Sequence, residues 1–339
     1  MEFNKILLQW YDKNKRDLPW RTTDNPYVIW IAEVVFQQTR IEQGTPYFLS
    51  FINKFPTVFD LAKAKEEDVL NKWQGLGYYS RARNLQFSAK YIVDELNGEM
   101  PSTYKSLLGL KGVGPYIAAE VASVCFNEVV AAVDGNVQRV LSRCFGVKEA
   151  VNSTKGSKIV NELANSLISK QRPGDFNQAL MDMGSSICTP KKPKCEECIF
   201  VETCWANRNG FQLKLPKKDK KVKVRDRYFN YYLINGSSML LKKRGGGDVW
   251  QGLYEPPLME TNQPFEIKKE CGYLLFSSKR VLSHQRIYIK FWVVNELPEH
   301  FNDQDFHHVT RSEVNNYPVP KSIEQLFSSI EFGSLFNGG

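Results

Sequence analysis

Residues 101–126 read PSTYKSLLGLKGVGPYIAAEVASVCF. Ser102 has the side chain of a helix opener. Pro115 begins the next helix at a position where no amide hydrogen is required. Between them lies Leu110-Lys111-Gly112-Val113-Gly114. Its glycines let the backbone turn sharply, and the helix that follows offers free N–H groups at its start. A helix, a glycine hairpin and a second helix can cradle a DNA phosphate without reading base sequence. Lys111, Gly112, Val113 and Gly114 are therefore candidate DNA-binding residues. An ordinary turn between two helices is the alternative, because a lone GxG is weak evidence.

Working outward, residues 1 to about 205 keep apolar spacings of three and four, and the reading is all-α. Asp24-Asn25-Pro26 caps a helix from Tyr27 to about Arg40, and Asp134 is placed as the N-cap of Val137 to Phe145. After residue 227 the texture changes. Tyr228–Ile234 and Met239–Lys243 are strand-like runs read as a hairpin across residues 235–238. Arg286 to Val294 alternates, with Ile287, Ile289, Phe291 and Val293 on one face, and Gly245-Gly246-Gly247 marks a loop. This half reads as a small α+β domain.

The chain has 339 residues, 42% apolar, with a net charge of +8, which suits two globular domains and excludes disordered and fibrous classes. Residues 214–227 carry eight basic and two acidic side chains. This connector suits an anionic polymer, although charge runs are often simply solvated. The start lacks a signal-peptide pattern and no run approaches a membrane span, so a cytoplasmic, nucleoid-associated protein with no membrane partner is expected. All four histidines lie in residues 284–308. Chemistry in the first 280 residues must rely on carboxylates, lysines, tyrosines and thiolates.

Cys188, Cys195, Cys198 and Cys204 form a C-x6-C-x2-C-x5-C run. Only one CxxC knuckle is present, so a 4Fe-4S cluster fits better than zinc, with disulfides a further alternative. Cys125, Cys144 and Cys271 have apolar neighbours and are read as core.

Glu33 is the only charged residue in VIWIAEVVFQQ, residues 28–38. Its neighbours one turn away are largely apolar, and desolvation favours the neutral acid that a general acid near neutrality requires. A Glu on the polar stripe of a helix is the plainer reading. Asp134 follows Val129–Val133 and precedes Gly135-Asn136. Capping alone explains it, yet a Glu acid with an Asp anion is also the two-carboxylate device of glycoside cleavage.

The LKGVG hairpin, Asp134-Gly135-Asn136 and the four cysteines, in this order, resemble the helix-hairpin-helix base-excision DNA glycosylases. Pro19-Trp20-Arg21, Ala32-Glu33-Val34 with Gln37-Gln38-Thr39, and Gly75-Leu76-Gly77-Tyr78-Tyr79-Ser80-Arg81 resemble the MutY-type adenine DNA glycosylases more narrowly. The resemblance covers residues 16–205 densely. It implies an all-α helix-hairpin-helix glycosylase domain with an iron-sulfur cluster loop, plus a C-terminal α+β Nudix-like domain. The implied division is 1–206 (a six-helix-type module about 22–135, a cluster module 1–21 and 136–206), a basic linker 207–227, and 228–339.

The implied activity is base excision repair: hydrolysis of adenine from double-stranded DNA containing A opposite 8-oxoguanine or G, by a monomer. Carried onto matching positions, Glu33 protonates adenine N7 and Asp134 stabilises the sugar oxocarbenium ion or forms a transient adduct. Tyr116 and Asn136 orient the centre, Trp20 and Arg21 form the adenine pocket, and Gln38, Leu76 and Tyr78 fill or wedge the opened stack, with Thr39 beside them on the DNA. The four cysteines hold the cluster. Ser283 and His284 read the oxidised guanine, although Leu282 stands where the family pattern has phenylalanine. No Arg-Glu-x-x-Glu-Glu box occurs in residues 228–339, so pyrophosphate hydrolysis is not expected.

Relatives that also nick the backbone, such as endonuclease III, carry a Schiff-base lysine where this chain has Tyr116. A tyrosine forms no imine, which favours a monofunctional glycosylase. An endonuclease III-like pyrimidine-lesion glycosylase/lyase and a non-catalytic damage-binding protein are the alternatives.

Overall fold

The computed structural model describes residues 3–219, 224–234, 238–282, 284–301, 305–310, 312–329 and 332. The helices are α1 (Phe3–Asn14), α2 (Pro26–Val35), α3 (Ile41–Lys54), α4 (Val58–Lys63), α5 (Glu66–Trp73), α6 (Ser80–Leu96), α7 (Tyr104–Leu107), α8 (Pro115–Phe126), α9 (Gly135–Phe145), α10 (Thr154–Leu167), α11 (Pro173–Ser186), α12 (Trp205–Asn209) and α13 (Lys321–Phe327). The strands are β1 (Arg225–Ile234), β2 (Ser238–Lys243), β3 (Tyr254–Glu255), β4 (Leu258–Thr261), β5 (Gly272–Val281), β6 (Gln285–Val294) and β7 (His307–Thr310). Backbone contacts divide the chain into two compact units, Met1–Ala62 with Phe87–Lys220, and Lys63–Gln86 with Lys221–Gly339. None of the described helices is long and apolar enough to cross a membrane.

The first unit is helical. One core gathers Leu7 from α1, Val137, Val140 and Leu141 from α9, Val160 from α10, and Phe176 and Leu180 from α11. Each such side chain contributes about 1.5–3 kcal/mol on burial. The spacing of Val137, Val140 and Leu141 sets one face of α9 inward. Helix α11 can approach α9 closely because residue 184 is glycine: a Cβ there would lie 2.6 Å from that of Asn136.

Local chemistry fixes the helix starts. The Asn25 side chain accepts from the N–H of Tyr27 at 3.0 Å, and Pro26 follows as the first helical residue. Helix α2 stops at Val35 rather than near Arg40, because Gln38 adopts a positive φ of 57° that a helix cannot continue. Thr103, not Ser102, caps α7, through a reciprocal pair with Ser106. The expected linker is only partly a linker. Leu215 is buried, the Val151 N–H donates to Lys217 O at 2.9 Å, and β1 already begins at Arg225.

The second unit holds a four-stranded mixed sheet, β4-β1-β6-β5, and a three-stranded antiparallel sheet, β3-β2-β7. The expected hairpin between β1 and β2 does not form. β1 runs parallel to β6 along ten residues and pairs with β4 on its other edge. Both edges of β1 are occupied along residues 228–231, and β2 pairs with β3 and β7 instead. Ile287, Ile289, Phe291 and Val293 all face the core, where Ile323 and Leu326 of α13 cover them.

Candidate active site

A cavity of about 640 Å³ in the helical unit is lined by Trp20, Arg21, Glu33, Thr39, Tyr116, Glu120, Asp134, Asn136 and Gln178, among others. The structure thus brings together all four residues expected to do chemistry and both expected to hold the base. Glu33 projects from α2, whose other buried residues are Tyr27, Ile29, Trp30, Ile31, Ala32, Val34 and Val35. The Tyr116 hydroxyl, from the first turn of α8, donates to Glu33 Oε2 at 2.7 Å. Burial pushes the Glu33 carboxyl up to about 7; the Tyr116 hydrogen bond and the Arg21 charge oppose this, and the Asp134 charge adds to it.

Asp134 caps α9 and faces the cavity, so capping and chemistry coexist in one side chain. Its Oδ1 accepts from the N–H groups of Asn136 and Val137, each at 2.8 Å. The Asn136 amide donates to Oδ2 at 2.6 Å. Burial raises its pKa, opposed by the N–H donors.

Arg21 is held by Asp182, which accepts from Nη1 at 2.7 Å and from Nη2 at 3.0 Å. Arg16 Nε donates to the same carboxylate at 2.6 Å. Trp20 is buried and stacked on Phe36, with centroids 4.2 Å apart. Gln38 does not line the cavity, although its neighbour Thr39 does.

Several residues at the site escaped the sequence reading. Asp182 fixes Arg21, and Glu120 is a further, buried carboxyl in the same cavity. Arg139 Nη2 donates to Asn136 Oδ1 at 2.8 Å while its Nε donates to Cys188 O at 2.7 Å. One turn further along α9, Arg143 Nη1 donates to Cys188 Sγ at 3.3 Å. One helix thereby links the cysteine loop to Asp134. A paired basic periodicity on α9 was the only available signal.

The hairpin has the expected form. Gly112 takes a φ of +84°, and Val113 N–H closes on Leu110 O at 3.1 Å. Ser88 Oγ donates to Lys111 O at 3.0 Å, anchoring the turn, and a Cβ at Gly114 would meet nothing within 4 Å. Lys111 is exposed, with its Nζ over the Phe87 ring.

Cys188, Cys195, Cys198 and Cys204 are free, half-buried and line one small pocket together with Cys144. Four converging thiols beside a guanidinium suit a soft, thiolate-bound metal group. No group of three or more described His, Cys, Asp or Glu side chains is gathered tightly enough to hold a single metal ion. The remaining cysteines are not uniformly core. Cys271 is exposed, Cys125 is half-buried, and Cys144 hydrogen-bonds Cys204.

In the other unit, Leu76, Tyr78, Trp250, Leu282 and His284 line a pocket of about 440 Å³. Tyr78 is 48% exposed and Leu76 only 9%. Gly75, Gly77 and Tyr78 all have positive φ, and Arg81 Nη2 donates to Gly77 O at 3.1 Å, which holds this turn. Between β5 and β6, Leu282 N–H donates to Gln285 O at 2.8 Å. Ser283 lies outside the described residues.

These two units define a helix-hairpin-helix base-excision fold joined to a Nudix-like sheet domain. A family model described as HhH-GPD superfamily base excision DNA repair protein matches residues 31–170, and a NUDIX domain model matches 230–329. The solved structure of a thermostable thymine-DNA glycosylase is 32% identical with a TM-score of 0.57, covering 61% of this chain and 95% of that one. The human adenine DNA glycosylase is 42% identical over 222 residues, 63% of this chain. That match spans 41% of the human protein's length. An adenine DNA glycosylase of Buchnera aphidicola (subsp. Baizongia pistaciae) is 32% identical over 303 residues, 86% of each chain. The chain belongs to the adenine DNA glycosylase family.

Proposed function

We propose that this protein removes adenine opposite 8-oxoguanine, and opposite G, by hydrolysing the N-glycosidic bond. The observation that carries this reading is the convergence of Glu33 and Asp134 on one cavity, with Tyr116 bonded to the first and Asn136 to the second. Glu33, held protonated near neutrality by burial, gives its proton to adenine N7. The C1′–N9 bond then breaks with its electron pair passing to the purine. Asp134 stabilises the resulting oxocarbenium ion, directly or as a transient adduct. Water adds to C1′, and the Glu33 carboxylate accepts its proton. Trp20 and Arg21 bound the base, and Asp182 keeps Arg21 in place.

Base excision requires extrusion of the nucleotide. Tyr78, more exposed than Leu76, suits stacking into the opened duplex, with the buried Leu76 in the same turn and Gln38 contributing an amide. The hairpin Lys111–Gly114 and the lysines of residues 214–227 bind phosphate, so affinity falls with salt. His284, with Ser283, contacts the oxidised guanine.

The four cysteines would hold a 4Fe-4S cluster, which orders the loop carrying Lys191, Lys192 and Lys194. Cys198→Ser is expected to lose iron and at least about tenfold in duplex affinity, through displaced lysines. Iron analysis and fluorescence anisotropy check this; a variant without iron that binds normally would remove the role.

The test is a single-turnover assay on duplexes with A opposite 8-oxoguanine, G or C. Release opposite the first two is expected, and no release at all would select a damage-binding protein. Efficient strand nicking by β-elimination would favour the lyase alternative.

Tyr116→Phe is expected to shift the pH dependence of release toward higher pH. The lost hydrogen bond stabilises ionised Glu33, so its removal keeps the acid protonated further into the alkaline range. A rate–pH profile of the variant shifted the other way would contradict this.

A further inference from the structure

Helix α8 carries two polar side chains one turn apart on the same face, Tyr116 and Glu120. Tyr116 serves Glu33. Glu120 is 1% exposed, lines the same cavity, and its Oε2 has no hydrogen-bond partner. The surroundings explain why. Arg21, the nearby cation, directs Nη1 and Nη2 at Asp182. The Tyr11 hydroxyl donates to Gln178 Oε1 at 2.7 Å, which leaves the Gln178 amide hydrogens for one side of the Glu120 carboxyl. The other oxygen is buried and unpartnered in the wall of the cavity. A buried, unpaired carboxyl destabilises a fold that an apolar residue would serve better, so a ligand group is its natural partner.

Resting on the proposed adenine excision, we propose that the Glu120 carboxylic acid is a base-contacting specificity residue, whose Oε2 hydroxyl donates to a ring nitrogen of the extruded adenine that Glu33 does not reach. Burial and the Glu33 carboxyl, then Asp134, hold Glu120 well above the ordinary carboxylate range, against Arg21 and Gln178. The side chain therefore carries a proton to donate. Glu33 is assigned to N7, which leaves N1 and N3 as acceptors in the purine. A pyrimidine extruded into the same cavity presents its acceptors elsewhere, so this contact favours a purine.

The experiment measures single-turnover release by the full chain from duplexes with adenine, 1-deazaadenine or 3-deazaadenine opposite 8-oxoguanine. Wild type is compared with Glu120→Leu and Glu120→Gln. On adenine, the leucine variant is expected to be slower by about tenfold or more, with glutamine, which keeps an N–H donor, between the two. With one of the two deaza bases the difference between wild type and leucine should vanish, because the acceptor is gone; with the other it should persist. Equal rates on adenine, or a gap that persists on both analogues, would overturn the proposal. If the leucine variant does not fold, the glutamine variant must show the same analogue dependence in smaller measure, and its absence counts against the proposal equally. A wild type that releases no adenine would instead remove the functional reading on which this contact rests.

Discussion

Glu33→Gln is expected to slow adenine release by about 10³-fold or more while duplex affinity stays near that of the wild type. Glutamine matches the shape of the acid and can still meet Tyr116, but it has no proton to give to N7. Its effect on stability should run the opposite way. The folded carboxyl titrates near 7, above its usual value of 4.5. Between those pH values the folded state binds more protons than the unfolded one, so stability falls as pH rises through this window. Above pH 7 the cost amounts to about 3 kcal/mol. Glu33→Gln removes it, and the variant should melt several degrees higher than wild type at pH 8, with little difference at pH 4. Loss of activity together with a gain in stability separates a chemical role from a structural one; a lower melting temperature at pH 8 would point to the latter.

Asp134→Asn should cost about 10²–10³-fold in single-turnover rate. Asparagine caps helices about as well as aspartate, so α9 keeps its start and the core residues Val137, Val140 and Leu141 stay in place. What is lost is negative charge beside the developing sugar cation. The Asn136 amide, which donates to Oδ2, would face an amide in place of a carboxylate. A rate within threefold of wild type would show that Asp134 is a cap and nothing more. Unchanged circular dichroism is the control.

The residues that announced themselves in the sequence are those whose local environment is encoded locally. Glu33 sits in an apolar run, Gly112 needs a positive φ, and Asn25 and Asp134 precede helices they cap. Such features depend on a few adjacent residues. Glu120, Asp182 and Gln178 occupy unremarkable helical positions, and only the packing of α8 and α11 brings Glu120 and Gln178 to one cavity, with Asp182 holding Arg21 at its wall. The sheet order was hidden for the same reason. Tyr228–Ile234 reads as a strand, but which strand takes each edge depends on the whole sheet, and β6 and β4 take both. The grouping of Lys63–Gln86 with the C-terminal unit rests on long-range contacts such as Tyr79 with Val319 O and Lys243 with Glu67. Neither has a signature in the chain itself.

The most direct measurement is the pH dependence of single-turnover adenine release opposite 8-oxoguanine. With an acid that must be protonated, the rate should be highest below pH 7 and fall tenfold per pH unit well above it, as the coupled carboxyls of the cavity ionise. This limb should be absent from the residual activity of Glu33→Gln. A rate that stays level from pH 6 to about 9, or a limb that survives in the variant, would contradict the assignment of Glu33 as the proton donor.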